Sequence, residues 1–475
     1  MLRGLVDVPI DRTVAPALEP ALREGIRHAQ RLGRPIVVSV VEPILTFDAI
    51  ELFERGGTAV SDRFLWARPS EDFALVGLGA AAVVEIQTGS DLRFRQAAEA
   101  WQALLADRVY AGPRGLSGVG PLLLGGFAFD GERPATALWA GFPAGRLVLP
   151  HLTFTRHQER AWLTQTVRLD PDDDAAEAAD ELIALRDRVL AAAEAPVPGQ
   201  PVTPTTLNEM RSASDWQADV AKAARAVAAG DMKKVVLARA AQLEADTPFL
   251  AGRALRYLSA NYHGCYVFAV ARDERCFLGA TPEQLLRLSR GEVRTMSLAG
   301  SIRRGRTPEE DQQLGQALQD SAKDRNEHAV VVQSMVEALY AICPSLNVGP
   351  TGLLKLGNIQ HLCTPITGPV AEGHTLLDLV ERLHPTPAVG GRPRDVALQW
   401  IRQHEHLDRG WYAGPVGWVD ARGEGEFAVA LRSALLAGDR ATLFAGCGIM
   451  ADSDPEREYV ESSLKLKPML AALTQ

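Results

Sequence analysis

The stretch GCGIMADSDPEREYVESSLK, residues 446–465, is the part of the sequence that most decides the fold. A glycine-containing turn comes first, where the lack of side chains lets a ligand approach the backbone closely. Ser453 or Asp454 can then act as the N-cap of a helix, and Pro455 suits its first position because no backbone donor is needed there. The stretch therefore predicts a close-fitting turn that leads directly into a helix.

Three charged residues of this predicted helix fall on one face. Glu458, Glu461 and Lys465 stand three and then four residues apart, which is the spacing of neighbours on a helix surface. Two carboxylates one turn apart can hold a divalent cation such as Mg²⁺ through oxygen, and the lysine can meet an anionic group. An exposed helix with ordinary salt bridges explains the same spacing, so the rest of the chain has to decide.

The composition is that of an ordinary globular protein. The chain has 475 residues, 47% hydrophobic and 23% charged, which is enough for a sizeable core. Acidic residues outnumber basic ones by 59 to 50, and no basic patch indicates a nucleic-acid partner. The N-terminus lacks the apolar core of a signal peptide, no apolar run spans a bilayer, and the five scattered cysteines suggest free thiols. We therefore expect a cytoplasmic protein without a membrane partner.

The order of helix and strand patterns predicts an α+β fold. Strands and helices are mixed without regular alternation, which favours largely antiparallel sheets. Four prolines mark residues 196–205 as a linker or surface crossing between an N-terminal part, 1–195, and a C-terminal part, 206–475. The apolar runs 146–155 and 427–436 are each expected to form a single strand.

A lysine pair and a glutamate are candidates for acid–base chemistry. Lys233 and Lys234 must point to opposite sides of a β-strand, but the alternation does not tell which one faces inward. A desolvated, neutral lysine can act as a general base. Glu283 follows a strand and a tight turn, where it is either a glutamate at a helix N-terminus or a general acid.

A second predicted helix, about 322–341, repeats the acidic pattern of the first. Asp324 and Glu327 stand three residues apart, as Glu458 and Glu461 do. Two facing helices can each offer carboxylates to one Mg²⁺, and substrate and water would complete its shell. Each pair alone is common, so the repetition is what favours a metal site.

Two small-residue turns and one arginine are candidate binding groups. Residues 298–301 and 384–391 form turns of the kind that line close-fitting sites with backbone N–H groups. Arg432 lies within an apolar run and needs an anionic partner, which a substrate carboxylate would provide through two hydrogen bonds.

Seven segments together resemble the chorismate-utilising enzymes, which include anthranilate, aminodeoxychorismate, salicylate and isochorismate synthases. In the family's order they are KVVLARA at 234–240, GATPEQLL at 279–286, SLAGSIRRG at 297–305, KDRNEH at 323–328, HPTPAVGG at 384–391, FAVALRSALL at 427–436 and AGCGIMADSDPEREYVESSLK at 445–465. The resemblance covers the C-terminal half and is weak in the N-terminal part. It implies one large α+β domain of mostly antiparallel sheets packed with helices, chorismate as substrate, and a monomer.

Within this group the sequence looks most like an isochorismate synthase. The HPTPAVGG turn carries most of that distinction, because anthranilate synthases resemble HPTVSGAPK there and salicylate synthases FPSVTASG. Lys234 occupies the position where ammonia-using anthranilate synthases typically carry glutamine, and no amidotransferase nucleophile motif is found, so no amidotransferase subunit is expected. Salicylate synthase and a catalytically silent chorismate-binding protein are the alternatives.

The resemblance implies a role for each matching residue. Lys234 would activate water for attack at C2 of chorismate, and Glu283 would protonate the departing C4 hydroxyl. The implied Mg²⁺ ligands are Glu327 and Glu461, supported through water by Asp324 and Glu458. The implied substrate-binding residues are Gly300, Ser301, His384, Arg432, Gly446, Gly448 and Lys465.

Overall fold

The computed structural model describes residues 17–474 apart from 88, 90, 91, 195–203 and 358. Its helices are α1 Leu18–Leu32, α2 Ala49–Gly56, α3 Arg93–Leu105, α4 Ala175–Glu194, α5 Ala213–Ala228, α6 Ala251–Asn261, α7 Pro308–Asp320, α8 Ala322–Tyr340, α9 Leu376–Leu383, α10 Arg394–His404 and α11 Pro455–Leu473. Among the described residues, no helix combines the length and apolar character that crossing a bilayer requires.

The strands follow in chain order. They are β1 Ile36–Ile44, β2 Arg63–Arg68, β3 Phe73–Leu78, β4 Ala82–Ile86, β5 Val109–Ala111, β6 Leu122–Phe127, β7 Gly145–Leu149, β8 Leu152–His157, β9 Arg160–Leu169, β10 Pro204–Glu209, β11 Lys234–Ala245, β12 Tyr266–Arg272, β13 Arg275–Thr281, β14 Gln284–Ser289, β15 Glu292–Arg303, β16 Asn347–Val348, β17 Gly352–Lys355, β18 Ile359–Pro369, β19 Gly391–Arg392, β20 Pro415–Asp420, β21 Gly425–Val429, β22 Ser433–Ala437 and β23 Arg440–Ile449.

These strands build two large sheets. The first has 13 strands in the order β10-β11-β23-β22-β13-β12-β2-β3-β8-β9-β1-β5, with β19 beside β11. The second has 10 strands in the order β16-β18-β15-β14-β21-β20-β6-β7-β4, with β17 beside β18. Pairing is antiparallel almost throughout, and β1 with β5 is a parallel pair. The predicted α+β class with mostly antiparallel sheets is confirmed.

Both sheets run across the N-terminal and C-terminal parts of the sequence. In the first sheet β12 pairs with β2, where Phe268 stands opposite Trp66. In the second sheet β20 pairs with β6, where Gly417 stands opposite Gly125. The chain is therefore a single domain. Most of the proposed linker at 196–205 lies outside the described residues, so the division at that point stays a prediction.

Two runs predicted as single strands are each divided between the sheets, so those predictions are wrong. The run 146–155 contributes to β7 in the second sheet and β8 in the first, with Pro150 between them, because proline cannot donate to a ladder. The run 427–436 contributes to β21 and β22 in the same way. Arg432 lies in the connection between β21 and β22, where its backbone φ is 49°. Both parts of each run are buried, so apolar character does not reveal where the sheet changes.

The main core lies between the two sheets. Phe73 of β3 stacks on Trp418 of β20 with 6.2 Å between ring centroids, and both side chains are buried. Truncating such a residue to alanine typically costs about 3–5 kcal/mol of unfolding free energy. This packing fixes the short connections between the sheets, and two of them carry candidate site residues.

Candidate active site

A cavity of about 120 Å³ lies where β11, β15 and β23 approach α8 and α11. Every predicted site residue except His384 lines it. A wider cleft of about 760 Å³ lies elsewhere, lined by paired charges such as Arg402 with Asp130. That cleft contains none of the predicted site residues, so the smaller cavity is the candidate active site.

Lys234 is the lysine that faces this cavity. Its side chain is only 2% exposed, whereas Lys233, on the opposite side of the strand, is exposed. The Nζ atom of Lys234 donates a hydrogen bond to Glu327 Oε1 at 2.7 Å. Strand β11 is held on both sides here, with Lys234 opposite Arg392 and the next residue opposite Ile449. The sheet thus fixes the position of a buried amine.

Glu283 lies in the connection between β13 and β14, where the chain passes from the first sheet to the second. No helix begins there, so the explanation as a glutamate at a helix N-terminus is wrong. The Thr281 hydroxyl donates to Val429 O at 2.6 Å and accepts from the Glu283 backbone N–H at 3.2 Å. Burial raises the pKa of Glu283 to about 7, against the opposing effect of nearby cations. A carboxyl of this kind can hold a proton near neutral pH, as a general acid must.

The opposite wall of the cavity is acidic. Asp324 and Glu327 come from α8, and Glu458 and Glu461 from α11. Burial and the neighbouring Glu461 raise the pKa of Glu458 to about 7. Burial, with Glu327 and Glu461, also raises the pKa of Asp324. Ligand atoms of Cys447, Glu458 and Glu461 lie within 4.8 Å of one another. A divalent cation would relieve this repulsion, so the oxygen donors fit Mg²⁺.

Lys465 lines the cavity but already has partners. Its Nζ atom lies 2.7 Å from Glu461 Oε1 and donates to Gly446 O at 3.0 Å. Burial alone would raise the pKa of Glu461, but Lys465 holds it below its ordinary value. The lysine therefore ties α11 to β23 and keeps one carboxylate charged.

Arg432 offers a cation to the cavity. Its side chain faces the cavity, and among the described residues no hydrogen bond or ion pair reaches its guanidinium. The backbone conformation at φ of 49° is unfavourable for a residue with a side chain. This backbone conformation is stabilised by a hydrogen bond, which the Ala280 N–H donates to Arg432 O at 3.2 Å. A half-buried, unpaired guanidinium is well suited to bind a carboxylate.

Two glycines are required by close contacts in the site. A Cβ at Gly448 would lie 2.6 Å from Lys234 Cε and 2.9 Å from Glu327 Oε1. The predicted turns at 298–301 and 446–448 are wrong, because these residues lie within β15 and β23, and the register of β15 shifts between Ala299 and Ser301. Gly300 has φ of 74°, and a Cβ there would lie 3.1 Å from Asp324 Cβ. The glycines predicted to let a ligand approach the backbone therefore also make room for the acid–base groups.

His384 is not brought to the cavity. Its ring is fully buried, with Nε2 2.9 Å from Phe129 O and edge contacts to Phe94 and Phe129. Burial lowers the pKa of His384 well below its ordinary value. The geometry gives this histidine a place beneath the 384–391 turn, and it does not support a role beside a substrate ring.

Sequence reasoning missed four residues with polar side chains that line the cavity: Lys323, His361, Arg409 and Tyr412. Ser301 Oγ lies 2.9 Å from His361 Nδ1, and burial lowers the pKa of this histidine to about 3. The two residues are opposite each other in β15 and β18, a pairing of distant strands that no local pattern reveals. For Arg409 a signal existed, because its buried partner Glu405 stands four residues earlier.

The comparisons with known proteins agree with this geometry. The profile of the family described as chorismate binding enzyme matches residues 24–474. The salicylate biosynthesis isochorismate synthase of Pseudomonas aeruginosa is 39% identical, over 96% of this chain and 94% of its own. Isochorismate synthase MenF of Bacillus subtilis is 35% identical, over 97% and 98%. The solved structure of MenF, the menaquinone-specific isochorismate synthase from Escherichia coli, has a TM-score of 0.78 and 29% identity, over 97% of this chain and 100% of that one. The chain therefore belongs to the family of chorismate binding enzymes.

Proposed function

We propose that this protein is an isochorismate synthase, which converts chorismate to isochorismate. The observation that carries the proposal is that Lys234 and Glu283, a buried amine and a buried carboxyl with a pKa of about 7, line one cavity. The names of similar proteins that match over nearly their whole length support the same reaction.

The reaction exchanges one water for another. The oxygen of the attacking water forms a bond to C2, the two ring double bonds each shift by one position, and the C4–O bond breaks. Lys234 takes the proton that the attacking water loses. Glu283 gives a proton to the C4 hydroxyl, which leaves as water. Substrate and product are therefore isomers, and solvent exchange restores both side chains.

The charges of the cavity suit a dianionic substrate. Arg432 can hold one carboxylate of chorismate through two hydrogen bonds, and Lys465 adds positive charge beside it. Gly300, Ser301 and Gly446 line the same space, and their backbone N–H groups would donate to the substrate. The net charge of the chain is -9, so these local cations have to attract the substrate against the overall field.

The proposed cofactor is Mg²⁺. Glu327 and Glu461 would hold it, with Asp324 and Glu458 in support, and when bound it supplies positive charge for the ring carboxylate. The neighbouring Cys447 thiol is a soft donor, which a hard cation such as Mg²⁺ does not prefer. With or without the cation, the protein itself has to place the amine of Lys234 and the carboxyl of Glu283 around the ring of chorismate.

We further propose that the enzyme works in the cytoplasm as a monomer, without an amidotransferase subunit. The five free cysteines support a reducing compartment, and a lysine at the base position supports water rather than ammonia as the nucleophile. The product would enter menaquinone or siderophore biosynthesis, because the names of relatives connect the reaction with salicylate biosynthesis in one and with menaquinone in another.

Product analysis tests this function. Purified protein is incubated with chorismate and Mg²⁺, and the products are followed by chromatography. We expect isochorismate to accumulate without added ammonia. Recovery of salicylate and pyruvate as the main products, or turnover only in the presence of ammonia, would overturn the proposal.

A further inference from the structure

The N-terminal half of α11 carries acidic residues of the cavity but has little apolar anchoring. The buried apolar side chains of this helix begin at Leu466, and the buried residues before it are Glu458 and Ser462. Val460 is 53% exposed and Leu464 37% exposed. Burial of apolar surface therefore fixes the C-terminal half, whereas the N-terminal half packs through the partly buried ring of Tyr459 against Trp216 and otherwise depends on polar contacts.

The two halves are joined at a weak point of the helix. Pro468 lies inside α11 and has no backbone N–H, so the hydrogen bond that would reach the carbonyl of Leu464 is missing. The turns before Pro468 are therefore coupled to the buried residues Met469 and Leu473 by one hydrogen bond fewer than in an uninterrupted helix. Polar contacts have to hold them in register with the cavity, and the bond from Lys465 Nζ to Gly446 O is one of these.

Arg239 provides that hold. It lies in β11 and is 6% exposed. Its Nε donates to Ser462 Oγ at 2.7 Å, and Nη2 donates to Ser463 Oγ at 2.6 Å. Both serine hydroxyls donate in turn to Tyr459 O at 2.8 Å. The guanidinium also lies 4.4 Å from the centroid of the Tyr459 ring. The Arg239 side chain therefore contacts one complete turn of α11.

Arg239 and Tyr459 are also hydrogen-bonded to the neighbouring strand β10. Arg239 Nη1 donates to Glu209 Oε1 of β10 at 3.0 Å, and the Tyr459 hydroxyl donates to the same carboxylate. Arg239 shares its strand with Lys234, and the spacing of five residues puts the two side chains on opposite faces. The strand that carries the amine therefore also sets the position of the helix that carries the carboxylates.

We propose that Arg239 is a positioning residue that fixes the first turns of α11 and thereby sets the affinity of Glu458 and Glu461 for a divalent cation. This inference rests on the proposed function in so far as it assumes the cation. The physical reason is geometric: Mg²⁺ demands near-octahedral coordination at about 2.0–2.1 Å, so a small tilt of α11 spoils the site. Ser462 directly follows Glu461, so any movement of the helical turn that Arg239 contacts also moves the carboxylate of Glu461.

The test measures cation binding directly, with Mn²⁺ as the probe and electron paramagnetic resonance as the readout. The variants are Arg239→Met, Arg239→Lys and the double variant Ser462→Ala with Ser463→Ala. We expect the dissociation constant for Mn²⁺ to rise about tenfold or more in Arg239→Met and in the double variant. Arg239→Lys should recover part of the loss, because an ammonium can reach one hydroxyl but not both. Arg440→Met, at an exposed pair in the same sheet, should bind Mn²⁺ like the wild type.

The outcomes separate this inference from the proposed function. Wild-type binding in the double variant, which keeps the guanidinium and its charge, overturns the positioning role even if Arg239→Met fails to fold. A wild-type chain that binds no Mn²⁺ overturns both the positioning role and the proposed cofactor. A second readout is hydrogen exchange, which should quicken at 458–465 and stay unchanged at 469–473 in the double variant; equal protection of both segments also contradicts the inference.

Discussion

Lys234 and Glu327 are directly hydrogen-bonded, with 2.7 Å between Nζ and Oε1. The proposed base and a proposed metal ligand are thus in direct contact, and the carboxylate links the amine to the acidic wall of the cavity. The pair also explains the absence of a side chain at Gly448, since a Cβ there would lie within 3.0 Å of Lys234 Nζ. The acid–base and cation-binding parts of the site are one connected unit.

Replacing Lys234 by methionine should lower kcat by about 10²–10⁴-fold, because the attacking water then has no base. Binding of chorismate, measured by calorimetry, should survive, since Arg432 and the backbone donors remain. Lys233→Met is the matched control: it changes the neighbouring residue on the exposed face and should leave kcat unchanged. Unchanged turnover in the Lys234 variant removes this residue from the mechanism.

Replacing Glu283 by glutamine should lower kcat by a similar factor but stabilise the fold. The pKa of Glu283 rises from 4.5 in the unfolded chain to about 7, so the folded state binds the extra proton between these values. Stability therefore falls as pH rises through this window, and above it the charged carboxylate costs about 3 kcal/mol. The variant should have the higher unfolding temperature at pH 8 and little advantage at pH 4. Loss of activity together with loss of stability at pH 8 would argue against a catalytic acid here.

The pH dependence of kcat/KM should show a descending limb above about 7, because Glu283 loses the proton that it has to deliver. Glu458 has a pKa of about 7 as well, so the two have to be distinguished. In Glu458→Gln the remaining activity should keep the descending limb, since the acid is intact. Disappearance of the limb in that variant would assign it to Glu458 instead.

Replacing Gly448 by alanine should lower kcat by about 10²-fold. The new methyl group would lie 2.6 Å from Lys234 Cε, so the lysine has to move, and misplacement by about 1 Å is enough for such a loss. The unfolding temperature should change little, because flexible ends of side chains can give way. Gly352→Ala, where a Cβ meets open space, is the control. Full activity in Gly448→Ala would show that the Lys234–Glu327 contact is dispensable.

Replacing Arg432 by methionine should raise KM for chorismate by about 10- to 100-fold, the effect of losing hydrogen bonds to a charged group. Methionine carries the same penalty as arginine at φ of 49°, so the change isolates the guanidinium from the backbone. Arg440→Met, at an exposed ion pair, should leave KM unchanged. An unaltered KM in the Arg432 variant would mean that another cation binds the carboxylate.

The sequence predicts the contents of the site better than its geometry. Alternation along a strand requires Lys233 and Lys234 to face opposite sides, but only the packed sheets decide that Lys234 faces inward. The sequence singles out Arg432 as an arginine in need of an anion, and in the structure this residue lines the cavity. Its position between two sheets was not foreseen, because both halves of its apolar run are buried.

The positions of two histidines also differ from what the sequence predicts, and in both cases the reason is a contact between elements far apart in the chain. His384 belongs to the most distinctive turn of the sequence, yet its ring packs against Phe94 and Phe129 from the N-terminal part. His361 enters the cavity through its pairing with Ser301 across two strands. Local patterns report spacing within one element, and these contacts join elements far apart in the chain.

The most direct test of the account is the fate of solvent oxygen. The protein is incubated with chorismate and Mg²⁺ in water enriched in oxygen-18, and the isochorismate formed is examined by mass spectrometry. Because the base delivers water to C2 and the acid expels the C4 hydroxyl, each product molecule should carry one heavy oxygen, at the C2 hydroxyl. Isochorismate without the label would contradict the account, since the hydroxyl group would then have migrated within the substrate.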